Sequence, residues 1–315
     1  MKRVLVALGG NAIKKADERG TFTEQMDNVA TACEQIAEIA REGYKLVLTH
    51  GNGPQVGNLA IQQERAADVV PTQPLVILGS MTQGQIGYMI QQNLCNILKS
   101  AGRWRVATLV TQVLVSRDDP DFQDPSKPVG PFYTEADARE LAEENNWIFK
   151  KVLPGGERAW RRVVPSPKPL RIVEADAIRC LVDSEVIVIA SGGGGIPVYR
   201  NENGYLKGID AVIDKDRAGA KLAEEVDANI LLILTDVEYA MKNYGKKSEA
   251  PIGEITFKEA EKLSEEGHFG AGSMGPKIDA CTKFVGGGGE RAIITSLDKA
   301  MDAMREKTGT HIIRA

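Results

Sequence analysis

Three short runs of β-forming residues each end in glycine, and that recurrence limits the chain to few folds. Residues 3–8 run into Gly9-Gly10-Asn11, residues 44–49 into His50-Gly51-Asn52-Gly53-Pro54, and residues 185–190 into Ser191-Gly192-Gly193-Gly194-Gly195. Helical patterning follows the first two. Val29, Cys33, Ile36 and Ala40 share one face of a helix expected over residues 23–42, with Thr23 to cap its start and Gly43 to end it. Residues 55–67 read as a second helix. Strand, glycine turn and helix, twice over, spell a βαβα unit, which requires a parallel sheet with helices on both faces.

The rhythm continues. Residues 75–100, rich in Ile, Met, Leu and Gln, predict a long helix that is buried or faces another subunit, and residues 106–115 predict a strand. Residues 118–168 are proline-rich, with aromatic and charge clusters, and predict a functional insertion or lid within a single domain spanning 1–315. Beyond Val173 the expected elements are a helix at 174–183, a strand at 185–190 and a hairpin about Asn203-Gly204. Then come a helix at 214–226, a strand at 229–235, and helices at 256–266 and 277–285. A strand at 291–295, a helix at 297–306 and a strand at 310–314 complete the chain. About eight strands alternating with helices predict an α/β fold with one open, mainly parallel sheet.

Composition narrows the partners. With 39 basic and 43 acidic side chains the net charge is −4, which excludes the basic excess of a nucleic-acid binder. An anion site must therefore be built locally, from a few lysines and backbone N–H groups. The apolar run at the N-terminus is too short for a signal core or a membrane span. Cys33, Cys95, Cys180 and Cys281 form no CxxC pair; three fall on apolar helical positions and read as small, reduced core residues. With three histidines and no Cys/His cluster, structural zinc is not expected. These features predict a cytoplasmic protein.

The glycine turns sit where open parallel sheets bind ligands, at the carboxyl ends of strands. Glycine admits phosphate oxygens close to the backbone, and the next helix offers unpaired N–H groups. One such turn is often only a turn; three together point to a ligand. None matches GxxxxGK[ST], and Gly51-Asn52-Gly53-Pro54-Gln55-Val56-Gly57 misses GxGxxG by one position. A P-loop nucleotidase is thus excluded and a nicotinamide oxidoreductase disfavoured.

Lys215, in Asp214-Lys215-Asp216, and Lys277, after Pro276 at the expected first helical position, both place a cation at a helix start, where the dipole favours an acid. Each could be a solvated surface lysine, but the pair suggests a shared polyanion. Lys127 lies in the proline-rich insertion and could move with it. Arg158, Arg161 and Arg162 beside Trp160 read as a solvated basic patch. His50 stands next to a glycine turn, where it could touch a ligand. No Ser/His/Asp set and no hydrolytic carboxylate pair is visible. Phosphoryl transfer fits, because it needs positioning and charge neutralisation more than a base.

Read in order, Gly9-Gly10-Asn11-Ala12, His50 to Gly57, Asp214-Lys215-Asp216 and Gly272-Ser273-Met274-Gly275-Pro276-Lys277 resemble the amino-acid kinase superfamily. Lys127 to Tyr133, Trp160 to Pro167 and Gly267-His268-Phe269 narrow the resemblance to its carbamate kinase family, over essentially the whole chain. The resemblance implies a three-layer αβα sandwich with a small protruding subdomain at 118–168, and a homodimer. It also implies reversible transfer between Mg²⁺-ATP and carbamate, giving ADP and carbamoyl phosphate, with Mg²⁺ held mainly by the nucleotide phosphates. By motif, Gly9, Gly10, Asn11, Gly51, Asn52, Gly53, Gly193 and Gly194 would line the phosphate and carbamate. Lys215 and Lys277 would neutralise phosphoryl oxygens, Asp216 would hold the lysines, and Lys127 would reach in from the subdomain. Thr235, Asp236, Tyr244, Met274 and Gly275 would lie on the nucleotide side.

Gly156-Glu157-Arg158-Ala159-Trp160 departs from the family's usual Gly-Arg-Gly before the tryptophan, which leaves the contact of Arg158 open. Gly286 to Gly289 reads as a flexible helix end. The rival readings are a kinase for another small acid, a nucleotide-binding regulator without catalysis, and the oxidoreductase.

Overall fold

The computed structural model describes residues 1–99, 105–270 and 274–314. Its centre is an eight-stranded sheet of β1 (Arg3–Leu8), β2 (Lys45–His50), β3 (Arg105–Thr108), β4 (Val186–Ile189), β5 (Ile230–Thr235), β6 (Glu254–Thr256), β7 (Arg291–Ser296) and β8 (Thr310–Ile313). The strands lie in the order β6-β8-β7-β5-β1-β2-β4-β3, parallel throughout except for β7 against β8. The helices are α1 (Phe22–Arg41), α2 (Gly53–Ala66), α3 (Leu75–Leu98), α4 (Glu135–Asn145), α5 (Ala175–Asp183), α6 (Lys215–Glu225), α7 (Phe257–Glu265), α8 (Met274–Gly286) and α9 (Ala300–Met304).

Strand alternation builds two cores. Leu5 and Ala7 of β1 point with Val47, Leu231 and Ile294 towards α5, α6, α7 and α8. Val4, Val6 and Leu8 point with Leu46, Leu232 and Ile293 towards α1, α3 and α9. Because both faces are covered, the strands read as unbroken apolar runs instead of alternating ones. This is the expected three-layer sandwich. Among the described residues, no helix is long and apolar enough to cross a membrane.

Local chemistry fixes the helix starts. Thr21, not Thr23, caps α1: its side chain accepts from the Glu24 N–H while Glu24 reaches back to the Thr21 N–H. Thr256 and Glu259 make the same box at α7. The described part of helix α8, Met274–Gly286, already includes Met274 and Gly275, so Pro276 is not the first helical residue; Lys277 follows it directly. The expected helix of residues 75–100 ends in a described part at Leu98, and Ser100 lies outside the described residues.

Three further expectations need correction. The strand expected over 106–115 is two, β3 and Gln112–Leu114, because the chain leaves the main sheet to pair with Ile196–Arg200 in a second, four-stranded sheet. Cys33 and Cys281 are buried, but Cys95 and Cys180 are exposed. Cys180 lies off the face of α5 that Ala175, Ile178 and Val182 bury, and Cys95 lies one step round α3 from buried Leu94. Residues 118–168 also carry more order than proline content suggested. Strands Lys127–Tyr133, Trp160–Val164 and Ile148–Lys151 form an antiparallel sheet with α4, and Val129 and Val164 pack on Val56, Leu75 and Leu78.

Candidate active site

The glycine turns after β1, β2 and β4 come together at one edge of the sheet, because those strands are parallel and neighbours. The turns approach one another closely, and in the one after β4 glycine is required. A Cβ on Gly51 would lie 3.3 Å from Cδ of Lys215 and 3.5 Å from the Gly10 nitrogen. Gly193 holds φ +67°, and its Cβ would lie 2.2 Å from Nδ2 of Asn52. The turns therefore touch one another, with room for an added carbon at Gly10 and Gly53 but none at Gly193.

Helix α6 delivers the charge. Asp214 caps it, with Oδ1 accepting from the N–H groups of Asp216 (3.0 Å) and Arg217 (3.2 Å), while Oδ2 accepts from Lys127 Nζ at 3.1 Å. Burial works to raise the Asp214 carboxyl, but the Lys127 ammonium and the two N–H groups outweigh it, so its pKa lies below the usual carboxylate range. Asp216 is 4% exposed and takes two ammonium groups, Lys215 Nζ on Oδ1 at 2.9 Å and Lys277 Nζ on Oδ2 at 3.0 Å. Lysines on two different helices are thereby aimed at one place by one carboxylate.

Two clefts meet there. The first, about 680 Å³, runs from Gly9, Gly10 and Asn11 past Lys215 and Lys277 to Thr235, Asp236, Tyr244 and Met274. The second, about 670 Å³, is walled by Gly51, Asn52, Gly53, Gly193, Lys127, Asp214 and Asp216. Gly10, Lys215 and Lys277 line both. One cleft is long and partly apolar, with Tyr239, Tyr244 and Phe269 along it, and suits a nucleotide. The other gathers glycine backbone with Lys127, Arg161, Lys215 and Lys277, and suits a small anion. A group passing between them must cross the two lysines.

Two expected residues stand aside from the clefts. Gly194 packs behind Gly193, where its Cβ would meet the Ile213 carbonyl, and the N–H of Gly275 in α8 bonds the Gly270 carbonyl at 3.0 Å. Gly272 and Ser273 of the quoted motif lie outside the described residues. His50 lies beneath the site and lines neither cleft: it is 1% exposed, with Nδ1 2.9 Å from the Gly51 carbonyl oxygen, and burial pulls its pKa down to about 4 against the opposing pull of that bond.

Sequence reasoning also misplaced the arginines. Arg161 lines the second cleft, donates to the Gly130 carbonyl at 2.7 Å and lies over the Phe132 ring. Arg162 pairs with Asp210 and stacks on Trp147 at 4.1 Å. Only Arg158 is exposed, and it holds the Phe132 carbonyl. Ser296 and Asp298 line the first cleft and were missed, because no glycine marks the end of β7. Their position at the carboxyl end of a parallel strand was the available signal.

The amino acid kinase family model matches residues 2–296. A carbamate kinase of Thermococcus kodakarensis is 55% identical over 318 residues, covering 100% of both chains, and one of Pyrococcus horikoshii is 52% identical over 99% of each. The solved structure of carbamate kinase from Giardia lamblia bound to AMP-PNP superposes with a TM-score of 0.94 at 46% identity, covering 100% of this chain and 99% of that one. With full-length identity at this level and a lysine–aspartate–lysine bridge at the seam of two clefts, the chain belongs to the amino acid kinase family, among its carbamate kinases.

Proposed function

We propose that the chain transfers the γ-phosphoryl group of ATP to an oxygen of carbamate, reversibly, giving ADP and carbamoyl phosphate. The observation that carries this reading is the Lys215–Asp216–Lys277 bridge at the seam of the two clefts. The nucleotide occupies the cleft of Thr235, Asp236, Tyr244 and Met274, and carbamate the cleft of Gly51, Asn52, Gly53 and Gly193. A carbamate oxygen attacks the γ-phosphorus in line. The new P–O bond forms as the bond to the β–γ bridging oxygen breaks, and its electron pair leaves with ADP. Carbamate is already an anion, so no general base is needed. Lys215 and Lys277 meet the charge on the moving oxygens, Asp216 keeps both ammonium groups in place, and glycine N–H groups complete the cradle.

Mg²⁺ belongs to this reading as a partner of the nucleotide phosphates, whose charge it neutralises when bound. Both carboxylates nearest the seam, Asp214 and Asp216, are engaged by lysines, which fits an ion held mainly by phosphate and water. Lys127 reaches the site from the subdomain of residues 118–168, so its bond to Asp214 would break and re-form as that subdomain moves. A homodimer is part of the same proposal: Ile77, Met81 and Tyr88 leave an exposed apolar row on α3, 41%, 44% and 54% accessible, that a second copy could cover. A cytoplasmic location is supported by four free cysteines.

The test is ATP formation from ADP, Mg²⁺ and carbamoyl phosphate. The wild type should turn over, and Lys277→Ala should lose turnover by orders of magnitude with its fold intact. A fully active Lys277→Ala protein would remove the bridge from the mechanism.

A further inference from the structure

We propose that Thr82 sets which face Asn52 offers to the small substrate, so that the second cleft selects an acyl group bearing an amino nitrogen. The inference rests on the reaction assigned above. Asn52 lines that cleft, and its amide lies across Gly193. A side-chain amide has a donor end and an acceptor end of nearly equal size, so turning it over exchanges them at little steric cost. Its neighbour decides which way it lies.

That neighbour is Thr82 on α3, which is fully buried. Its hydroxyl donates to the Gly79 carbonyl at 2.7 Å, one turn back along the helix. A hydroxyl has one proton, and here it is committed. Towards Asn52, whose Nδ2 lies 2.8 Å away, Oγ1 can only accept. Asn52 must therefore turn its NH₂ to Thr82, and Oδ1, without a protein partner among the described residues, is left for whatever fills the cleft.

The floor beneath the amide is fixed by the next residue. Gln83 is 2% exposed; its Nε2 donates to the carbonyls of Thr111 (3.2 Å) and Gly192 (3.1 Å), and its Oε1 accepts from the Thr111 N–H at 2.8 Å. Consecutive residues of α3 thus hold Asn52 and the Gly192–Gly193 backbone in one relation. An outward acceptor complements the N–H of carbamate or carbamoyl phosphate. The methyl of an acetyl group gives it nothing, so an acetyl substrate that displaces water from this half-buried acceptor leaves it unpaired. Thr82 is a positioning residue in this account, acting through Asn52.

The experiment compares ATP formation from ADP with carbamoyl phosphate and with acetyl phosphate, in the wild type, Thr82→Val and Thr82→Ser. Valine keeps the volume and removes the acceptor, so the ratio of kcat/KM for the two acyl phosphates should fall about tenfold, roughly the worth of one hydrogen bond. The loss should fall on carbamoyl phosphate with KM for ADP unchanged, and serine should restore the ratio. Equal losses on both substrates would make Thr82 merely structural and overturn the proposal. Should Thr82→Val not fold, Asn52→Ala reads the same quantity: the two substrates must approach parity, and a preserved preference refutes the assignment. A wild type that makes no ATP from carbamoyl phosphate would instead overturn the reaction itself.

Discussion

Replacing Asp216 by Asn separates what the lysine bridge does for stability from what it does for chemistry. The carboxylate is 4% exposed and holds Lys215 and Lys277 at 2.9 and 3.0 Å; the Lys277 side chain is 11% exposed and that of Lys215 24%. Asparagine keeps the shape but leaves two ammonium groups facing each other with no counter-charge. Breaking a buried pair from one side typically costs about 3–5 kcal/mol. Access to the clefts through Lys215 favours the lower end, so the expected loss is about 3 kcal/mol. Lys277→Met removes only one of the two cations and leaves Asp216 paired with Lys215, at a cost of about 1 kcal/mol. The double variant removes one of the two uncompensated ammonium groups and with it their mutual repulsion, leaving only the more accessible Lys215. It should recover about 2 kcal/mol relative to the sum of the singles, a coupling of the size expected for contacting residues. Urea unfolding followed by circular dichroism gives the stabilities, and ATP formation from carbamoyl phosphate gives turnover. All three variants should lose turnover by orders of magnitude, including the double variant with its recovered stability. Additive stabilities would refute the argument that one shared carboxylate holds both lysines.

Two further outcomes follow from burial. The His50 pKa of about 4 lies below the unfolded value of about 6.5, so the unfolded chain binds the proton first as pH falls. The group costs nothing above pH 6.5 and removes about 2 kcal/mol between pH 7 and 5; His50→Asn should flatten the pH dependence of the urea midpoint in that window, and an unchanged slope would count against a buried neutral imidazole. Gly194 holds φ +93° and its Cβ would lie 2.2 Å from the Ile213 carbonyl oxygen, whereas a Cβ on Gly53 meets nothing within 4 Å. Gly194→Ala should therefore destabilise the protein by about 3 kcal/mol or more, whereas Gly53→Ala, in the first turn of α2, should be neutral or stabilising by up to about 1 kcal/mol; similar thermal midpoints for the two would show that the loop can relax around the added carbon.

Local rules made much of this architecture readable. Apolar runs ended by glycine located β1, β2 and β4, and the period of Val29, Cys33, Ile36 and Ala40 located α1, because both signals arise between neighbours in the chain. The lysines were legible for a related reason: a cation in the first turn of a helix opposes the dipole and calls for an explanation. Boundaries were less legible. Residues 109–111 look like their strand neighbours, and only pairing with Ile196–Arg200 in another sheet splits the run. The prolines of 118–168 hid a three-stranded sheet, since Pro128 and Pro131 lie in a strand paired on one side only.

By itself, then, the sequence determined the alternation of strands and helices, the parallel sheet, and the glycine turns and lysines from which an anion site could be built. Those properties follow from backbone preference and periodicity over a few residues. Tertiary structure decided which groups share a partner. Asp216 and Lys277 lie 61 positions apart, and Asn52 and Thr82 lie 30 apart. It also made Arg161 a wall of the cleft instead of a surface charge, and His50 a buried neutral ring instead of a ligand contact. Burial, counter-charge and the direction of a single hydroxyl proton depend on what the fold brings alongside a residue, and no local pattern in the chain encodes that.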